Sequence, residues 1–283
     1  MRATAALRFG LLTATMVATS LPVGAAEGFP PGDYAIVVDG SRAGAVKSAR
    51  RISKNFRFEV GVDVPRELGD WISESSQSGS TSKRDGEMFR CDARDPCDAA
   101  LEFLDAGIVE VQVGTLDATS KEPGVLTVEI QPGEAHYPSG ESETIPRPSS
   151  AKRSKWLSSN FRFELGDLPC ERVLKVDSLG WRRVPEGEHS EVEVSDLELT
   201  ISMADSGPWL AWYQSVVFDG EVNRLYGRFE LLAANLSDTL ASLDLTEVEI
   251  VSMTVLPMDG ETGNFEVVLS IGGIALEFES SDP

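Results

Sequence analysis

The sequence predicts a mainly β protein built from two tandem antiparallel β-barrel domains, each with one short α-helix. Three observations carry this. First, residues 100 to 130 align without a gap onto residues 239 to 269, an offset of 139. Leu101, Leu104, Asp105, Val109, Glu110, Thr115, Glu122, Gly124 and Val128 then meet Leu240, Leu243, Asp244, Val248, Glu249, Thr254, Glu261, Gly263 and Val267, where random pairing of ordinary compositions gives about two identities. Second, short runs alternate apolar and polar residues between turn signals, the period of half-buried strands. Third, each half carries a single helical segment with the same pattern: Leu68, Trp71 and Ile72 correspond to Trp209, Trp212 and Tyr213. These six are the expected core anchors, because a lone helix with an apolar face must pack on a sheet or across a barrel mouth.

The chain opens with Arg2 and Arg8, an apolar run from Phe9 to Val23, and small residues at Gly24, Ala25 and Ala26. That pattern is a secretory signal peptide over residues 1–26, and it implies an exported protein, periplasmic or secreted. Without those residues 46 acids face 23 basic residues, a net charge near −23. Such a surface repels nucleic acid and anionic membrane.

The first domain is expected over residues 33–133. Tyr34, Ile36 and Val38 alternate into a turn at Gly40, Ala45 to Ile52 supplies a partner strand, and Asn55 to Val60 a third. Pro65 opens the helix. The Ser-rich segment from Glu74 to Asp85 reads as a loop, followed by strands at Met88–Cys91, Ala99–Phe103, Ile108–Val113 and Val125–Ile130. Residues 134–154, with Pro138, Pro146 and Pro148 among Ser, Glu and Gly, have linker composition.

The second domain is expected over residues 155–280. Its strands are Asn160–Leu165, Arg172–Val176, a long alternating run Glu191–Met203, then Arg228–Ala233, Leu240–Leu243, Glu247–Thr254, Phe265–Ile271 and Ile274–Phe278, with the helix starting at Gly207-Pro208. If both halves descend from one barrel, Tyr34, Ile36 and Val38 meet Phe161, Phe163 and Leu165 at an offset near 127. The second copy then holds 12 extra residues (139 less 127), expected as a solvated loop around Asp177 to Glu191. The identical pentapeptides Asn55–Glu59 and Asn160–Glu164 are 105 apart and contradict that order, so they are alternation, not ancestry.

Chemical signatures are sparse. Cys91 and Cys97 flank the turn-like Asp92–Pro96, so an exported protein could close a disulfide there, whereas Cys170 reads as a small buried apolar residue. His136 and His189 have neither zinc-site nor triad spacing, and Asp92, Asp95 and Asp98 lack the spacing of a calcium loop. No nucleophile elbow, phosphate loop or zinc-protease motif occurs. Catalytic, cofactor-binding and metal residues are therefore expected to be none.

Two segments resemble a known family: Leu116-Asp117-Ala118-Thr119-Ser120-Lys121-Glu122-Pro123-Gly124-Val125-Leu126-Thr127-Val128, and Lys155-Trp156-Leu157-Ser158-Ser159-Asn160-Phe161-Arg162-Phe163-Glu164 running into Arg172–Asp177. They are similar to bacterial phage tail proteins, the tail-tube subunits of contractile phages and the tube protein of type VI secretion systems. The resemblance implies a non-enzymatic structural protein whose barrels join edge to edge into rings that stack as a tube. Two fused barrels make a pseudo-dimer, and three copies would close a pseudo-six-membered ring. Other proteins of a tail-like apparatus are then expected partners, with no cofactor. The alternative is an exported monomeric binding module that holds a protein or glycan through the polar loops at residues 74–85 and 184–190.

Overall fold

A computed structural model describes residues 29, 32–41, 44–77, 82–91, 96–138, 143–148, 156–177, 179–186, 189–257 and 263–279. The expected signal peptide, Asp92 and Asp95 lie outside them. Among the described residues, no helix is long and apolar enough to cross a membrane.

In the first half, β1 (Asp33–Val38), β2 (Gly44–Ile52) and β3 (Asn55–Val60) form a meander. Helix α1 (Arg66–Ser75) leads into β4 (Lys83–Cys91) and the long β5 (Cys97–Val113). The short β6 (Leu116–Asp117), then β7 (Leu126–Gln131), β8 (Glu134–His136) and β9 (Thr144–Ile145) follow. Pairing runs β4-β1-β2-β3-β7, and β5 joins both ends: its first part bonds to β4 and its second part to β7. Six antiparallel strands thus close a barrel, which removes the open edges of a sheet. Alternation places Ile36, Phe56, Phe58, Met88, Leu101, Phe103 and Val128 inside, and α1 adds Leu68, Trp71 and Ile72, all buried.

Two expectations differ here. The separate strands 99–103 and 108–113 are one strand, because Asp105 takes a left-handed turn (φ 52°) beside a bulge and bends the ladder without ending it. The expected linker begins as part of the barrel, since β8 and β9 both pair with the first part of β5.

The second half repeats this plan. Strands β10 (Phe161–Leu165), β11 (Val173–Asp177), β14 (Leu197–Ser202), β15 (Leu225–Leu232), β16 (Thr239–Val255), β17 (Asn264–Ser270) and β18 (Gly273–Phe278) take the places of β1, β2, β3, β4, β5, β7 and β8, and helix α2 (Ser206–Tyr213) that of α1. A hairpin with no counterpart, β12 (Gly180–Glu186) and β13 (His189–Val194), stands between β11 and β14.

Register fixes the equivalence residue by residue. Ile36 faces Met88 as Phe163 faces Phe229, so β1 and β10 superpose 127 apart, as Tyr34, Ile36 and Val38 onto Phe161, Phe163 and Leu165. The long strands do not follow the offset of 139. Asp105 and Glu247 share the left-handed kink (φ 52° and 53°), 142 apart, and the bulges after Ile108 and after Ile250 agree. β7 and β17 keep 139, as Val128 onto Val267, and so do β8 and β18, as His136 onto Ala275. Val109 therefore matches Val251 and not Val248. The ungapped alignment is out by three residues because the stretch 256–264, up to Phe265, is three shorter than 114–125, up to the matching Leu126. The duplication stands; its register on the long strand is corrected.

The extra residues of the second copy number 14, the step from 127 on β11 to 141 on β14, where Phe58 and Leu199 correspond. They form the β12–β13 hairpin and not a solvated loop. The expected single strand Glu191–Met203 is accordingly two strands in different sheets, parted at Ser195–Asp196. The pentapeptides fall on β3 and β10, which are not equivalent.

At 141 the helices superpose as expected. The Trp71 indole donates to the carbonyl of Ser82 at 2.9 Å, and the Trp212 indole to that of Asn223 at 3.1 Å, eleven residues on in both. Trp209 and Trp212 are buried, whereas Tyr213 is only half-buried, edge-on to Phe218. It lies at the last residue of α2, where the chain widens into a π-helical turn over Gln214–Phe218.

Candidate functional site

The seam between the halves joins backbone and side chains of both barrels. β12 adds to the outer edge of β5, with Trp181 opposite Val111, and the Val113 N–H donates to Leu179 at 2.8 Å. From the other side β6, held in the longer connection of the first half, pairs with β11 through Asp117 and Lys175. Close by, Gly124 and Trp156 are bonded by backbone at 3.0 Å and packed so tightly that a Cβ on Gly124 would lie 2.2 Å from the indole. α1 finishes the seam by packing on β18, where Gly69 leaves room for Phe278.

β6 also mends a defect. β10 and β11 do not pair as β1 and β2 do, because the chain after β10 turns through Gly166 (φ 50°) to Pro169. Pro169 has no N–H for a ladder, and its carbonyl accepts from the Trp209 indole at 3.0 Å. The edge of β11 left open is the one β6 takes.

Beneath the β12–β13 hairpin lies a cleft of about 660 Å³ with a charged row across three strands. Arg57 bonds Glu129 on β7 and Glu110 on β5 at 2.8 Å each, and Asn55 donates to Glu129 at 2.6 Å. Glu129 is 7% exposed, so its charge is held by these donors rather than by water. Arg183 of the hairpin donates to the carbonyls of Ser75 and Gln77 at the end of α1, at 2.8 and 3.2 Å. The Arg183 contacts tie the hairpin to the barrel. Sequence reasoning missed this row, whose only signal is opposite charge at facing positions, legible once Arg57 is known to face Glu129.

A second cleft, about 910 Å³, lies where β1 and β4 meet residues 143–148 and is lined by Asp39, Asp85, Glu87, Glu102 and Glu143. The Glu87 carboxyl is raised above its ordinary value, first by burial and then by Glu143 and Glu102. No group of three or more metal-ligating side chains occurs among the described residues.

Cys91 and Cys97 face each other across the β4–β5 turn and are joined as a disulfide, Cα atoms 4.1 Å apart. Cys170 is half-buried, and its thiol is pushed up to about 12, chiefly by burial. His136 is exposed on β8 beside Glu134. Asn235 of the sequon-like Asn235-Leu236-Ser237 closes a turn, its side-chain oxygen accepting from the N–H groups of Ser237 and Asp238 at 3.1 Å each. The structure thus brings together the seam residues, whereas His136 on β8 and Cys170 after β10 are not among them.

No family model matches the chain, and no curated protein matches it. Among solved structures, a chain in the baseplate of the anti-feeding prophage, 6-fold symmetrised, matches at 14% identity and a TM-score of 0.31, covering 41% of this chain and 89% of its own. A chain in the sheath-tube complex of an extracellular contractile injection system in the extended state matches at 13% identity and a TM-score of 0.30, covering 42% of this chain and 88% of its own.

Proposed function

We propose that this chain is a non-enzymatic structural subunit, exported by its N-terminal segment, whose barrels join copies of itself through strand edges and helix faces. The observation that carries the reading is the seam: two barrels of one plan are joined by strand addition at β5–β12 and β6–β11 and by α1 on β18. A chain that already joins barrel to barrel in this way contains the interface of an assembly. Rings or a tube are the form this takes, with three copies giving six barrels, in an apparatus of the sort from which the two solved chains come. Light scattering after size exclusion tests the reading, in enough salt to screen a formal net charge of −21. Assemblies of several copies are expected. A strict monomer at high concentration would turn the reading toward the exported binding module.

A further inference from the structure

The two halves do not cover equivalent faces. α1 carries charged residues on its outer side, Arg66, Glu67 and Asp70, and yet is packed both on its own barrel and on β18. α2 reads Ser-Gly-Pro-Trp-Leu-Ala-Trp-Tyr, apolar around most of its circumference, and among the strands packs chiefly on β16. A helix apolar on all sides is normally a covered helix. Leu210 stands where Gly69 receives Phe278, 141 residues on, and it is only half-buried.

The strand beside it is equally bare. Pairing of β16 with β15 stops at Val248, so 249–255 bonds to β17 on one edge only, whereas the matching edge of β5 holds β12. Val255 is 54% exposed where its equivalent Val113 is 4%. Val251, Phe218, Val222 and Tyr226 of this half are exposed, while in the first half Tyr137 is the one large apolar side chain that is exposed among the described residues.

We propose that this face of the second half docks on the first half of a second copy, head to tail, repeating between chains the seam found within one. The occupant follows from equivalence: β18 covers α1, and its counterpart is β8. The residues Glu134, Ala135, His136 and Tyr137 are all exposed. The β2–β3 hairpin, counterpart of β11–β14, has Arg50, Arg51 and Lys54 exposed, and Lys54 lines one cleft with Pro132 and Gly133 just before β8. Asp219 and Glu221 are exposed near the apolar face, whereas Glu247 and Glu249 there are held by Arg224, so the face is acidic on balance against the basic hairpin. Such a contact joins unlike faces, so it closes into a ring or extends as a filament rather than stopping at a dimer.

The inference rests on the structural reading above. Its test uses two variants of the full chain, both at exposed positions: Phe218→Asp with Val251→Asp on the α2 face, and Ala135→Asp with Tyr137→Asp on β8. Unchanged thermal unfolding checks that each is folded, and a second pair, Val222→Lys and Arg51→Glu, reads the same faces through other residues. Each variant alone should have the mass of one chain, and an equimolar mixture the mass of two, since one intact face of each kind remains. Wild-type assemblies that both variants leave intact would overturn the inference and spare the structural reading. A mixture that stays monomeric would exclude the head-to-tail contact in particular. A monomeric wild type would overturn both inference and reading.

Discussion

The first half closes on itself and the second does not, although both fold from one plan. β1 pairs with β2, but β10 leaves β11 open, and β6 of the first half fills the opening. The insertions that separate the copies lie at that same seam. Fourteen residues made the β12–β13 hairpin, and the three by which 114–125 exceeds 256–264 lengthen the connection that holds β6. Divergence after duplication has thus gone into joining the halves, while the barrel interiors kept their registers.

The largest effect expected is at the paired indoles. Trp71→Ala should cost about 3 to 5 kcal/mol, read by urea unfolding, since it removes a fully buried ring and its bond to Ser82. Trp212→Ala should fall at the lower end, because α2 packs chiefly on β16, whereas α1 packs on both β5 and β18. Equal or reversed costs would break the claim that the two helices differ in their cover.

Equivalent glycines sharpen the comparison. A Cβ on Gly124 or on Gly263 would meet a neighbour at 2.2 Å, the rigid Trp156 ring in one case and the flexible end of Met203 in the other. Gly124→Ala should therefore destabilise by up to about 3 kcal/mol and Gly263→Ala by far less, as thermal melts would register. Similar losses at both would mean that Trp156 is free to move.

At the turns the copies chose different closures. The first is fastened by Cys91–Cys97, whereas at the matching Leu232 and Thr239 the turn is closed by Asn235. Replacing both cysteines with Ser should cost about 2 kcal/mol for so short a loop. A thiol assay on the unreduced protein should find Cys170 alone, and only after unfolding, because its thiol stays protonated until about pH 12.

Much of this was legible beforehand, for reasons that also explain the failures. Phe56, Phe58, Val128 and Val267 alternate because one face of each strand is buried, and Trp71 and Trp212 are spaced like helix anchors because their rings enter the barrels. The same short period makes sequence register slippery: Leu101 matches Leu240 in an alignment but Leu243 in the ladder, and only the kinks at Asp105 and Glu247 decide it. The seam was illegible because its partners are far apart in sequence. Asp117 meets Lys175 only once β6 pairs with β11, and β12 reads as part of a polar loop until the edge of β5 is there to receive it.

The smallest expected effect concerns a pair that the halves treat in opposite ways. Glu87 faces Glu102 across β4 and β5; at the equivalent place Arg228 faces Asp244 and bonds it at 2.7 Å. Like charges directly opposite destabilise a sheet, and opposite charges stabilise it, by about 0.2 to 1 kcal/mol. Burial and the neighbouring acids raise the Glu87 carboxyl above its ordinary value, so the folded state binds that proton more tightly than the unfolded chain. The favourable contribution of protonated Glu87 is then complete at pH below the ordinary carboxylate range and is lost as pH rises through the folded value. Glu87→Gln should accordingly raise the melting temperature slightly at pH 7 and leave it unchanged near pH 3, and Glu87→Arg should gain somewhat more at pH 7 by recreating the pair of the second half. A gain that persists unaltered at pH 3 would show that packing, not charge, distinguishes the two sites.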